Sequence, residues 1–294
     1  MPRSPASRKR TRRPPRRRTR RTRWSRFHPS KLRKKLPSKR TRRRWWRAWR
    51  GLPRGVQWPI GAAAVVVLFL ALNGVYQIVR KPTELFFPVS EVLQKSPAET
   101  WRAYAPLFRR HATDVITPDL LAALAQVEGA GNPIARTYWR WSFDFNPFNV
   151  YQPASSSVGM YQISDGTFEQ ARRFCIHDHQ VVASGPWNNW RSCWFNVLYT
   201  RVIPSHAIEL TAAHLDRSVE QAFKRHPVPN ATLRDKQELA ALVHLCGAGA
   251  GRAHARRGLA LRPDQRCGTH DVRRYLAKVA TQQARFRALA AAAG

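Results

Sequence analysis

Residues 56–79 read VQWPIGAAAVVVLFLALNGVYQIV, 24 residues without a charged side chain. No other stretch constrains the fold so strongly. As a helix rising 1.5 Å per residue it would be about 36 Å long, enough for the roughly 30 Å hydrocarbon core of a bilayer. Trp58 and Tyr76 stand near its two ends, where amphipathic rings favour the headgroup level. A buried core helix is the soluble alternative, and the flanks argue against it. Residues 1–54 hold 25 Lys and Arg and no acid, and the first carboxylate in the chain is Glu84. A cleaved signal peptide has a short basic region and a small-residue cleavage site, whereas this basic region is long and ALNGV is a poor site. The stretch therefore reads as an uncleaved single-pass anchor. By the positive-inside rule the tail stays in the cytoplasm and residues 80–294 are exported.

The formal net charge of +35 belongs mostly to the tail, since beyond it 27 basic residues face 17 acids. Residues 1–55 are too charged and too Pro-rich to bury a core, which predicts disorder. Such a tail can bind nucleic acid or anionic lipid. The simpler reading is a topology signal resting on headgroups, and nucleic-acid binding is not expected.

All four cysteines, Cys175, Cys193, Cys246 and Cys267, fall on the exported side. In an oxidising compartment an even count suggests disulfides. The local pairings Cys175–Cys193 and Cys246–Cys267 would close loops of about 19 and 22 residues, each worth roughly 3 kcal/mol in the chain-entropy model. CIHDH also gathers Cys175, His177 and His179, but its spacing with Cys193 fits no standard zinc module. Disulfides are the expected state, with no metal and no cofactor.

Residues 80–112 read as a stalk leading into a short helix, and 113–294 as a mostly helical domain able to bury a core. ITPDLLAALAQVE starts with Thr117 as cap and Pro118 in the first position, and Gly129 and Gly131 end it. Aromatics at 139, 141, 143 and 145 alternate as in extended chain, and VGMYQIS continues extended. DGTFEQARRFC predicts a helix, and CIHDHQVVASGPWNNWRSC a long polar loop. Further helices are expected from Pro204, from the Thr232 cap, and over THDVRRYLAKVATQQARFRALAAAA.

Glu128 is the only acid between Asp119 and Asp144. It falls in the last turn of its expected helix, where the macrodipole disfavours negative charge. If Trp139, Trp141 or Phe143 folded over it, desolvation would raise its pKa and keep its proton. Such an acid beside aromatic faces suits protonation of a glycosidic oxygen. The plainer reading is a helix-end carboxylate paired with Arg136 or Arg140.

The motif order separates these readings. A helix ending in Glu128, Gly-Asn-Pro at 131–133, GMYQIS at 159–164, GTF at 166–168 and LVHLCGAGAG at 242–251 together resemble the SLT-type lytic transglycosylases, a lysozyme-like family that cleaves peptidoglycan. The likeness spans residues 117 to about 255. It implies a lysozyme-like α+β domain with a small extended region, and a bacterial inner-membrane protein with its catalytic domain in the periplasm. It further implies Glu128 as the catalytic acid, and a cleft lined by Gly159, Met160, Tyr161 and Gln162, with Trp139, Trp141 and His244 as further candidates for sugar contact. Gly247 and Gly249 fall on the family's later glycines. The chain departs from the pattern at Gly129, where the family has Ser, and at His244, Leu245 and Cys246, where it has Tyr, Asn and Ala.

The resemblance implies cleavage between N-acetylmuramic acid and N-acetylglucosamine, leaving a 1,6-anhydro ring. Glu128 would serve first as acid and then as base, and glycan strands would be the partner, with cell-wall synthesis machinery a further one. A hydrolytic muramidase would want a second carboxylate, for which Asp144, Asp165 and Glu169 are available. A scaffold of the same fold that binds glycan without turnover is the non-enzymatic alternative.

Overall fold

A computed structural model of the chain describes residues 39–86, 91–142, 146–189 and 192–292. Two compact units divide at Ala64, one of residues 1–64 and one of residues 65–294.

In the first unit, helix α1 (Lys39–Arg50) buries none of its residues. The expected disorder of 1–55 therefore does not extend over 39–50. Arg and Lys lose little rotamer freedom in a helix, and the amide of Gln57 donates to the Trp49 carbonyl in the last turn and to the Leu52 carbonyl just beyond it. Residues 1–38 lie outside the described residues.

Helix α2 (Arg54–Arg80) is long and apolar enough to cross a membrane. Val65, Val66, Val67, Leu68 and Leu72 on it are exposed. A core helix of a soluble protein would bury that surface. The second unit begins within this helix.

Beyond two short 3₁₀ turns, Pro82–Phe86 and Glu91–Leu93, the second unit is built on helices α3 (Pro97–Arg110), α4 (Pro118–Gly129), α5 (Asp165–Ala171), α6 (Pro204–Arg225), α7 (Leu233–Arg256) and α8 (Val272–Ala292). Three two-stranded antiparallel pieces, β1 (Trp139–Trp141) with β2 (Tyr151–Pro153), β3 (Phe174–His177) with β4 (Gln180–Ala183), and β5 (Arg266–Cys267) with β6 (His270–Asp271), join them, along with 3₁₀ turns at Pro147–Asn149 and Trp194–Leu198. The domain is mostly α, as the sequence leads one to expect.

At its centre lies α4, in which Leu120 to Ala125 are six consecutive buried residues. A helix buried all round must be covered on every side, and α3, α6, α7 and α8 supply Phe108, Ile208, Leu239 and Phe286 to the same core. Residues 97–110 form the short helix expected after the stalk, and this helix belongs to the domain: Trp101, Tyr104 and Phe108 face the core. The helix begins on a capping box, in which Ser96 N–H donates to Glu99 Oε2 at 2.8 Å.

Two other expectations change. The stretch expected to be a polar loop after Cys175 contains the β3–β4 hairpin, closed by Asp178 and His179 at positive φ. VGMYQIS is a tight turn rather than extended chain, with Val158 bridging Ile163 and Gln162 N–H donating to Gly159 O. Both expected disulfides are present, Cys175–Cys193 and Cys246–Cys267, each with Cα atoms 5.5 Å apart. Their sulfurs are consumed by these bonds, which removes the zinc reading of CIHDH.

Candidate functional site

Glu128 occupies the last turn of α4, and the backbone then reverses through left-handed Ala130 and Gly131. Its position is fixed by close packing behind it. A Cβ on Gly129 would lie 2.9 Å from Met160 Cα and 3.0 Å from Met160 O. The absent side chain lets the Gly159–Gln162 turn press against the end of α4. Gly159 itself has φ +81°, and a Cβ there would meet the Arg201 carbonyl at 2.3 Å. The serine expected after the acid by resemblance would not fit this approach.

The carboxylate faces a cleft of about 900 Å³. Tyr275 Oη of α8 donates to Glu128 Oε1 at 2.5 Å, and His244 Nε2 of α7 stands 3.8 Å from the same oxygen. Burial pushes the Tyr275 phenol well above its ordinary range, and the facing carboxylate adds to the shift. The hydroxyl is therefore a permanent donor near neutral pH. Burial also lowers the His244 pKa, with Glu128 acting in the opposite direction. His214 of α6 lines the cleft as well, and burial followed by the neighbouring His244 takes it down to about 4. Both imidazoles are neutral at pH 7 and can accept or donate hydrogen bonds without adding charge.

Helix α7 changes direction where it meets the cleft. Gly247 has φ +80° and ψ 164°, outside helical space. The next turn folds back so closely that a Cβ on Gly251 would fall 2.3 Å from Val243 Cγ2. His244, Leu245, Gly247 and Gly249 line the cleft on either side of this break, and the Cys246–Cys267 disulfide ties the break to β5.

The site residues expected from sequence divide into two groups. Glu128, Gln162 and His244 line the cleft. Gln162 is held in place, its Nε2 donating to Gly159 O at 2.9 Å and Ala135 O at 3.1 Å. Met160 and Tyr161 are fully buried, and Tyr161 Oη donates to the Leu121 carbonyl, so both support the wall from behind rather than face a ligand. Trp139 and Trp141 pack at a tilt against Tyr151 in the β1–β2 hairpin, and Trp139 Nε1 donates to Glu84 Oε2 at 2.8 Å. Neither is among the residues lining the cleft. Phe143 lies outside the described residues. Arg136 ion-pairs with Glu84.

Tyr275, His214 and Arg252 were not legible as site residues. Tyr275 is 147 positions from Glu128 and sits in a helix whose polar pattern marks no cleft face.

Among the described residues lining the cleft, Glu128 is the single carboxylate. Asp165 is paired with Arg201 at 2.8 Å and Glu169 with Arg172 at 2.6 Å, and neither lines it. Asp144 lies outside the described residues. In comparison with known proteins, the chain matches no family model and no curated sequence.

Proposed function

We propose that the α3–α8 domain is a lysozyme-like lytic transglycosylase that cleaves peptidoglycan glycan strands. The observation that carries this reading is the lone carboxylate of the described cleft lining, with a phenol donating to it. A two-carboxylate hydrolase needs its second acid about 5–10 Å from the first. A transglycosylase needs one, because the substrate's own groups supply the rest.

Glu128 gives its proton to the oxygen joining N-acetylmuramic acid to N-acetylglucosamine. The C1–O bond breaks, and N-acetylglucosamine leaves with a free 4-hydroxyl. The N-acetyl carbonyl of the muramic residue stabilises the cation at C1. The Glu128 carboxylate then takes the proton from the muramic C6 hydroxyl, O6 bonds to C1, and the acid is regenerated. Tyr275 donates to the carboxylate that exists between the two steps, the stage at which its hydrogen bond meets a full negative charge. It supplies a hydroxyl near the acid, where the resemblance would have placed one at position 244.

The proposal puts α2 in the bacterial inner membrane with residues 1–54 in the cytoplasm and the domain in the periplasm. The excess of 25 basic residues before α2 supports that orientation, and two disulfides suit an oxidising compartment. A reporter that matures only in the periplasm, fused after Gly294, should be active.

Mass spectrometry of muropeptides released by the full chain in detergent tests the chemistry. Anhydro-muramic ends are expected. Reducing ends would make the protein a hydrolase, and no release by folded protein would leave a glycan-binding scaffold.

A further inference from the structure

Helix α2 carries two amides near its C-terminal end, Asn73 and Gln77, and both are buried, at 1% and 4% exposure. Spaced four apart, they share one helix face. Asn73 Nδ2 donates to the Phe148 carbonyl at 2.6 Å and Gln77 Nε2 to the same oxygen at 2.8 Å. Tyr76 completes the face, its ring 5.0 Å from that of Phe148. Phe148 lies in the connection between β1 and β2. That connection is therefore fastened at Phe148 to the last turns of the apolar helix.

The position of this fastening along α2 determines what surrounds it. Asn73 precedes Arg80, the first charge after the apolar run, by seven residues, about 10 Å of helix. Half the hydrocarbon core is about 15 Å thick. With Arg80 at the membrane surface, the Phe148 carbonyl lies below that surface. An unpaired carbonyl or side-chain amide is costly in hydrocarbon, and here each satisfies the other. The surface the hairpin turns outward carries Trp141, 59% exposed, and Phe148, 44% exposed, together with exposed Arg140, whose long side chain can reach back to the headgroups, and exposed Asn146 and Pro147.

We propose that Trp141 and Phe148 of the β1–β2 hairpin dip beside α2 into the adjoining leaflet and are covered there by phospholipid acyl chains. The inference rests on α2 as a membrane span and is independent of the enzymatic reading. Aromatic side chains are suited to this depth, and the two amides act as the pins that hold the hairpin in register with the helix. The base of the same hairpin reaches the cleft, whose lining includes Tyr138 and Ser155. Lys81, one residue past α2, donates to the Ser155 and Ser157 carbonyls of that wall at 3.3 and 2.9 Å. The hairpin thereby holds the cleft at a fixed height next to the bilayer.

The test uses the full chain reconstituted in phosphatidylglycerol–phosphatidylethanolamine liposomes. The native cysteines are in disulfides, so a thiol introduced by Phe148→Cys takes an environment-sensitive dye selectively. The dye should emit at shorter wavelength than in water, and doxyl-labelled lipid should quench it. In Asn73→Leu/Gln77→Leu protein, still integral to the membrane, its emission should shift toward that in water. Water-like emission in the Phe148→Cys protein would overturn the proposal. So would a blue-shifted dye that doxyl lipid cannot quench, because protein would then be the cover. Unchanged emission in the Leu double variant would remove the pinning role of the amides. Carbonate extraction of the same liposomes separates these results from failure of the span itself, since a chain released by carbonate was never anchored.

Discussion

Tyr275 and Glu128 stand 147 residues apart in the chain and 2.5 Å apart in the fold, the phenol donating to the carboxylate. A hydrogen bond to an ionised group is worth about 1.5–3 kcal/mol. Tyr275→Phe removes it while keeping the ring that packs beneath the cleft. Turnover should fall about 10- to 100-fold, the rate equivalent of that energy, with KM little changed. A kcat equal to wild type would deny Tyr275 any part in the chemistry. Since burial holds the phenol above its ordinary range, Tyr275 should contribute no ionisation of its own to a pH–rate profile near neutrality.

Glu128→Gln should be the most damaging single change to activity. The amide keeps the size of the carboxylate and can still accept from Tyr275, so fold and glycan binding should persist. The proton is lost, and general acid catalysis contributes about 10² to 10⁴ in rate; with one group serving as acid and base, the upper end is expected. Glu169→Gln, on the exposed side of α5 with Arg172, should leave the rate unchanged. Mass spectrometry of released muropeptides measures both, and wild-type release by folded Glu128→Gln protein would end the mechanism.

Gly129→Ser would restore the residue that the resembled family carries after its acid, and it should harm this protein. The new Cβ would meet the Met160 backbone at 2.9 Å, and backbone yields less readily than a side chain. Overpacking of this kind costs about 1–3 kcal/mol, which thermal unfolding would register as a drop of several degrees. Activity should fall with it, because the strain is applied one residue from Glu128. An unchanged Tm would mean that the Gly159–Gln162 turn can retreat.

What the sequence revealed follows from the range of the signals. Thr232 caps α7 and Pro204 opens α6 as expected, because caps and first-turn prolines act within three residues. Glu128 was visible because a lone acid in a last turn is a local anomaly. The β3–β4 hairpin was not, since its turn residues Asp178 and His179 reverse the chain without glycine. The helix over residues 97–110 was expected, but its place in the core was not, because Trp101, Tyr104 and Phe108 reveal their purpose only against α4 and α8. Tyr275 and His214 reach Glu128 and His244 through the packing of four helices, which no local spacing encodes.

The Cys246–Cys267 disulfide should matter more to the site than Cys175–Cys193. It holds the residue before the Gly247 break, two positions from His244. Replacing both cysteines by serine should cost roughly 3 kcal/mol on the chain-entropy scale and lower activity at temperatures where the protein is still folded. The Cys175→Ser/Cys193→Ser variant should lose comparable stability with its activity retained, because that bridge closes a loop outside the cleft lining. Equal activity losses would erase the distinction.

His214 makes the fold sensitive to acid. Unfolded, a histidine titrates near 6.5; in the cleft wall burial and the neighbouring His244 take it down to about 4. Between those values the unfolded chain holds a proton that the folded chain refuses. The stabilising contribution is therefore complete above about pH 6.5 and is lost as pH falls toward 4, a difference of about 3 kcal/mol over the interval. His244 is displaced in the same direction and adds to the slope. His214→Gln keeps a hydrogen-bonding group but cannot take the proton. Its Tm should decline less between pH 7.5 and 4.5 than that of the wild type, by several degrees. Parallel declines in the two proteins would show that His214 is not held neutral by the fold, and the acid sensitivity would then belong to other groups.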